Sequence, residues 1–404
     1  MKSNSYTTKI FVLLLCVTAF FYVIIGNGYY MLGACFIPVL HKIFSCFKKD
    51  SELPVAWSIF VLMALLSSAF SAVKDVSYKF LFVMIAFLVA RMILSKECDW
   101  QKFFIKTIVI FSLISVIATF AEMYLPDVMS FLAEKIYSGE SLDEYMIFMH
   151  QEAYTGIYIQ TSFNAYFISV FIAVLIGRIF CGEKKPTNYM LIVIAVIAMI
   201  LTQKRSFCLA NAIAVVIVFW RSSISDKNRD RKVIAMLLLV IAVYLIFRYH
   251  PAMQGIMEKM NAMENSGDIS NGRFERWEDT IEIWKDHPIF GIGAGALVAA
   301  YGISTHNVYL QVMAEMGIVG ALSYVVLLLY TLIRSFKIYD TVLRNRDLIP
   351  GADLGCAVSI YMQVVTIIYS FFGNPLYGIS FMLMYVLFDA LIGSYGNIIG
   401  NCKI

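Results

Sequence analysis

Two short stretches of this sequence hold residue types that do chemistry in surroundings that argue against them. The first is Thr202-Gln203-Lys204-Arg205-Ser206, two cations wedged between apolar runs. A charge at the edge of hydrocarbon costs free energy and calls for a reason. One reason is snorkelling of both side chains to lipid phosphates. The other is a site for an anionic group, and Arg suits a diphosphate because its planar fork donates two parallel hydrogen bonds. The second stretch ends at His306-Asn307, which opens an apolar run containing Glu315, Gly317 and Gly320. His is the side chain best matched to proton transfer near neutral pH. A His at a helix start also serves as a cap or interface residue. Glu315, deeper in the run, either orients a polar group or packs against one.

Between these stretches lies Asn271–Pro288, NGRFERWEDTIEIWKDHP. Phe274, Trp277, Ile281 and Trp284 recur at helical spacing, so they share one face. Glu275, Asp279, Glu282 and Asp286 occupy the other, and Arg273 and Arg276 stand at the start. Trp on such a face favours a helix resting on the membrane surface. Arg273 is the candidate to face a ligand, with Arg276 beside it. Gly291-Ile292-Gly293-Ala294-Gly295 follows no strand, so the triplet reads as a flexible or closely packed turn and not as a nucleotide loop. Asn164, in Ser162-Phe163-Asn164-Ala165, either lines an outer cavity or is a polar helix start.

The elements that must position these residues are membrane helices. Of the 404 residues, 60% are hydrophobic and 15% charged. Soluble domains carry about 25% charged residues, and a soluble protein of this composition would lack a polar surface. Apolar runs of about 17–25 residues, the length that crosses a bilayer, recur along the chain. They lack period-two alternation, which excludes barrel strands. Spans are expected at 10–25, 29–46, 55–72, 77–95, 103–124, 157–180, 188–202, 206–220, 233–248, 307–333, 355–372 and 376–395. The fold class is therefore an all-α polytopic membrane protein of about 12 transmembrane helices, read as one integral-membrane domain over 1–404. Lys2 and Lys9 precede a first apolar run without a cleavage motif, so that run reads as a retained helix.

With both termini in the cytoplasm, about two thirds of the 32 Lys and Arg residues fall on the cytoplasmic side, as the positive-inside rule requires. Two outer loops are then long. One, at 125–156, is acidic; the other, at 249–306, carries the amphipathic helix. The eight cysteines show no CxxC and no Cys/His spacing for zinc, so neither a disulfide framework nor a metal site is expected.

The order Gln203-x-Arg205-Ser206, Arg273, Trp277, Pro288, Gly291-x-Gly293, His306-Asn307 and Glu315-x-Gly317 resembles the O-antigen ligase and O-antigen polymerase superfamily. The resemblance covers about residues 155–335; the N-terminal third is similar only as a run of helices. It implies a metal-independent, inverting membrane glycosyltransferase of the C type, without cofactor, at the periplasmic face of a bacterial inner membrane. The donor is a glycan on undecaprenyl diphosphate. A polymerase moves the chain onto a lipid-linked repeat unit, and a ligase moves it onto lipid A–core. A chain-length regulator and a flippase are the implied protein partners, membrane lipids surround the chain, and no nucleic acid is involved. Carried over, Arg205 and Arg273 hold the diphosphate and His306 meets the incoming hydroxyl. Lys204 stands where the family often has a small residue, so either Lys204 or Arg205 points at the ligand. Arg276, Asn164, Asn307 and Glu315 complete the expected substrate-binding set. A transporter of lipid-linked glycans would instead spread buried charges through several helices.

Overall fold

The computed structural model describes residues 2–25, 28–46, 54–183, 185–223, 272–346 and 349–401. In chain order the helices are α1 Lys2–Ile25, α2 Gly28–Cys35, α3 Leu40–Cys46, α4 Val55–Ala69, α5 Lys74–Lys96, α6 Gln101–Tyr124, α7 Pro126–Ile136 and α8 Glu140–His150. They continue as α9 Thr161–Phe180, α10 Pro186–Leu201, α11 Arg205–Ser223, α12 Arg273–Asp286, α13 Ala296–Tyr301, α14 Val308–Arg344, α15 Ala352–Tyr369 and α16 Ile379–Asn401. Among the described residues eight helices are long and apolar enough to cross a membrane, and α4 and α10 are shorter apolar helices. The protein is a polytopic, all-α membrane protein.

Two of the expected spans need comment. The one at 233–248 lies outside the described residues. The one at 29–46 is not a single helix: α2 and α3 are separated by a 3-10 turn over Ile37–Val39. Pro38 has no N–H to give the carbonyl of Ala34, and its ring crowds that carbonyl, so an α-helix cannot run through. The acidic 125–156 segment is largely folded into α7 and α8.

Where the sequence reads as one integral-membrane domain, the contacts divide into two compact units, Met1–Thr107 with Arg273–Ile404, and Ile108–Gly272. In the first unit α16 is the central helix, with 94% of its apolar window buried. Asp389, in mid-helix and fully buried, would be intolerable alone in such a place. It accepts from Arg91 Nε at 2.8 Å and Trp57 Nε1 at 3.0 Å, which ties α5 and α4 to α16. Towards the end of the unit that holds the 97–100 connection, Lys42 Nζ donates to Glu97 Oε1 at 2.6 Å and Thr8 Oγ1 at 2.7 Å. The 70–73, 287–307 and 370–378 connections gather at the opposite end. Ser71 lies against Gly293, Val308 N donates to Ser370 O, and Asn374 Nδ2 donates to Ser304 Oγ.

At that end α14 breaks. Gly317 adopts φ 67°, ψ −174°, inside what is otherwise one helix. The left-handed φ favours glycine, and a Cβ there would meet Ile289 O at 1.9 Å. The break frees backbone groups that hydrocarbon cannot satisfy. The Gly-rich segment satisfies them. Ile292 N donates to Ala314 O, Gly293 N to Glu315 O, and Ile318 N to Pro288 O. Residues 291–295 thus form a closely packed turn, one of the two forms expected of them. In the second unit α9 is the buried centre, and Asn211 Nδ2 of α11 donates to Ser169 Oγ of α9 at 2.8 Å.

Two stability outcomes follow from this packing. Asp389→Ala leaves Arg91 buried without its carboxylate and should cost about 3–5 kcal/mol, seen as a lowered melting temperature of the detergent-solubilised protein. Asp389→Asn, which can keep the Trp57 bond, should lose less. Gly317→Ala combines a forbidden contact with left-handed strain of about 1–3 kcal/mol, and should reduce folded yield in the membrane more than Gly302→Ala, which carries the strain without a contact.

Candidate functional site

The candidate residues fall into the two units, each best built from its own supports. In the first unit the hub is Glu315, which is fully buried in α14. Its carboxylate accepts four hydrogen bonds, from Gly295 N at 2.7 Å, Leu297 N at 3.0 Å, Gln311 Nε2 at 3.1 Å and Tyr377 OH at 2.6 Å. Two of these cap the start of α13, where orphan amide groups and the helix dipole favour negative charge. The backbone carbonyl of Glu315 also accepts from Ser67 Oγ of α4 at 2.7 Å. Burial, and then the adjacent carboxylate, push the Tyr377 hydroxyl well above its ordinary range, so it remains a donor. Glu315 therefore gathers these polar groups around its buried carboxyl.

This hub fixes the chain that leads to His306. Thr305 is fully buried and Asn307 is buried, while His306 between them is exposed. Thr305 Oγ1 donates to Asn307 O at 2.8 Å and accepts from Asn307 N at 3.1 Å. Asn307 is the N-cap of α14, its Oδ1 accepting from Tyr309 N at 3.0 Å and Leu310 N at 3.3 Å. Capping thus falls to Asn307, and His306 is left outside the helix with φ 49°. A left-handed non-glycine residue is uncommon, and it persists only where its surroundings over-determine it.

The amphipathic helix expected between Gly272 and Pro288 is α12, with Glu275, Asp279, Glu282 and Asp286 all exposed. Its aromatic face is not given over to lipid alone. Trp277 Nε1 donates to Thr305 O at 2.8 Å, which anchors α12 to the residue before His306. Trp284 and Ile283 pack against the buried cluster of Ile292, Ala296, Leu297 and Ala314. Phe274 is 61% exposed and meets Trp277 edge-on. Arg273 and Arg276 lie half-buried in the first turn of α12, within the unit that carries His306.

In the second unit Lys204 and Arg205 sit on the turn between α10 and α11. Gln203 there has φ 57°. Its Nε2 donates to the carbonyls of Gln151 and Glu152, both at 3.1 Å, and Glu152 is itself left-handed at φ 54°. Tyr154 N donates to Leu201 O at 3.2 Å. The 151–156 strap is held from behind by Glu122, which accepts from Gly156 N at 2.6 Å. Asn164 is fully buried and donates to Tyr154 O at 3.2 Å and Thr119 Oγ1 at 2.8 Å. It lies within this support and not on a surface. Arg205 is the first residue of α11 and is exposed; Lys204 is half-buried. A cation in the first turn of a helix opposes the dipole by about 0.3–1 kcal/mol. An anion bound there would meet amide groups, dipole and side chain together.

Thr305, Gln311, Tyr377 and Glu122 are supports that reading the sequence for reactive groups does not select, and Gln203 stands in a motif there without a role of its own. Gln311 was the most accessible of them, because it stands one helical turn before Glu315. Among the described residues no three His, Cys, Asp or Glu side chains gather as a metal site would need.

Of the four left-handed non-glycine residues among those described, Gln203 and His306 belong to the two stretches singled out for chemistry. A family model described as O-antigen ligase matches residues 190–325. That stretch contains Lys204, Arg205, Arg273, Arg276, His306, Asn307 and Glu315; Asn164 precedes it. No curated protein matches the chain. The match over residues 190–325, with both left-handed turns inside it, supports the resemblance to the superfamily of O-antigen ligases and polymerases.

Proposed function

We propose that this protein is a surface-polysaccharide polymerase. It transfers a glycan from undecaprenyl diphosphate to a lipid-linked repeat unit at the outer face of the bacterial cytoplasmic membrane. The observation that carries the reading is the construction of the two turns: each holds an exposed side chain of the required type, Arg205 or His306, on backbone held in place by the hydrogen bonds of its neighbours. Preorganised groups are what a reaction that develops charge requires.

The roles follow motif by motif. The acceptor hydroxyl oxygen attacks the anomeric carbon of the donor sugar as the bond from that carbon to the diphosphate oxygen breaks. The configuration inverts. His306 takes the hydroxyl proton. Undecaprenyl diphosphate leaves with the bonding electron pair, its negative charge met by Arg205 and Arg273, with Lys204 and Arg276 as further cations. The leaving group is already an anion, so positive charge serves it better than a general acid, and no metal is needed in this scheme. Asn307 holds the His306 turn and Glu315 the polar groups behind it.

The matching family is described as O-antigen ligase, and this supports a second reading in which the acceptor is lipid A–core.

The test is the surface polysaccharide of a deletion strain complemented with variants. For a polymerase, the empty strain keeps single repeat units on the acceptor without a ladder. For a ligase, the acceptor is bare and long chains accumulate on undecaprenyl diphosphate. His306→Ala should lower transfer by about 10²–10⁴-fold, the usual contribution of a positioned proton acceptor, and Arg205→Ala should fail to restore the ladder. Both proteins restoring the wild-type pattern at wild-type membrane levels would remove the catalytic assignment. Gln203→Ala should act through position: weaker use of donor, seen as a raised KM for the lipid-linked glycan, with kcat changed less.

A further inference from the structure

The first unit contains a cavity of about 320 Å³ that none of the residues assigned above occupies. Its lining includes Tyr29, Phe80, Ser304, Gln311, Asn374 and Tyr377, and no charged side chain. We propose that this cavity is a subsite for a neutral sugar ring of the acceptor glycan, an inference that rests on the transferase reading above.

Four observations point to a polyhydroxylated, uncharged ligand. The wall is amphiphilic in the way a sugar is. Phe80 and Tyr377 lie with ring centroids 5.5 Å apart and offer an aromatic surface to the C–H face of a ring. Opposite in character are Ser304 and Asn374, joined by a 3.1 Å hydrogen bond from Asn374 Nδ2 to Ser304 Oγ. That bond uses one of the two amide hydrogens and leaves the Ser304 hydroxyl hydrogen available. Asn374 Oδ1 is buried and finds no donor among the described residues. A buried carbonyl oxygen without a donor is costly; it is closed to a water molecule in this conformation, and a turn of the Asn374 amide toward the cavity would let a ligand hydroxyl relieve it.

The third observation is electrostatic. Tyr377 and Gln311 both donate to the Glu315 carboxyl group, so its acceptor oxygens stand directly behind two lining residues. No lining side chain is cationic, so a diphosphate would go uncompensated there, whereas hydroxyl groups need no counter-charge. A prenyl tail would cover Ser304 and Asn374 without answering either. The fourth is position. Ser304 is two residues from His306, on a loop pinned through Thr305 to Trp277. A ring seated against Ser304 would rest on the same short loop that carries the group proposed to take the acceptor proton. The volume lies near the lower end of small-molecule pockets, roughly 300–1,000 Å³. It admits the end of a glycan and not its length, as a terminal acceptor residue requires.

The experiment uses the full-length protein in lipid nanodiscs. The probe is the lipid-free repeat-unit oligosaccharide, released by mild acid from the polysaccharide of the same strain. Binding to wild type is expected by saturation-transfer NMR, with affinity at least tenfold weaker in Asn374→Leu and Ser304→Val. Unchanged affinity in both variants, at wild-type melting temperature, would overturn the proposal. So would displacement of the oligosaccharide by a short prenyl alcohol in an Asn374-dependent manner, since the cavity would then hold a lipid tail. Should the variants not fold, a diazirine-bearing oligosaccharide on wild type reads the same question. Labelled peptides spanning 298–311 or 374–379 support the subsite, and labelling confined to other segments refutes it. Binding is read without transfer. A protein that binds the sugar through Asn374 yet transfers no glycan would end the transferase reading and keep the sugar site.

Discussion

A helix that breaks inside an apolar bundle must find partners for the backbone groups it releases, because lipid offers none. That constraint organises the catalytic-looking end of the first unit. The break at Gly317 opens α14, and residues 288–293 close it with three backbone hydrogen bonds. The covering segment then has to be fixed in turn. Glu315 does this from the same helix, one short stretch before the break, by capping α13 and gathering Gln311 and Tyr377. One kink therefore dictates the Gly-rich turn, the buried carboxylate and the path of the chain to His306. The close approach of Gly291 to the Glu315 backbone, where a Cβ would fall 2.2 Å from the carbonyl carbon, is a consequence of the same closure.

Much of this was legible from residue types. Apolar length announced the spans, and the three-and-four spacing of Phe274, Trp277, Ile281 and Trp284 announced α12 correctly. What spacing could not supply was a partner. Trp277 reads as an interfacial residue until its indole is seen on the Thr305 carbonyl, a contact across sequence that no local pattern encodes. The break of the 29–46 run was readable in principle from Pro38 but was outweighed by the apolar run around it. Gln203 and His306 were named for their company, not for their backbone. A left-handed turn is foreseeable at glycine, yet at Gln or His it is imposed by tertiary contacts and leaves no mark in the sequence. Tyr377 and Glu122 were invisible for the same reason, since their value lies wholly in what they hold.

Charge is handled in two distinct ways along this chain. Among the described residues, where it is buried it is paired or saturated: Asp389 by Arg91 and Trp57, Lys42 by Glu97, Glu315 by four donors, Glu122 by the 155–156 backbone. Those groups hold helices together, because removing one partner would strand the other in a medium that cannot solvate it. Arg205 and His306 belong to the other class. They are exposed; Thr305 and Asn307 on either side of His306 are buried, while Lys204 and Ser206 beside Arg205 are half-buried.

That difference bears on the oldest ambiguity in the sequence, whether Lys204 and Arg205 merely reach for lipid phosphates. Snorkelling needs a long flexible side chain and nothing else. It gives no reason for Gln203 to adopt left-handed backbone, for its amide to grip the carbonyls of Gln151 and Glu152, or for Glu122 and Asn164 to brace that strap from within. Strain at a turn is retained where the turn's geometry matters, and buried polar braces are retained where movement would be costly. The two cations stand on a turn whose position is controlled more tightly than a lipid contact demands. The proposal of a bound anion at Arg205 therefore rests on the physics of the support, and not on the charge alone.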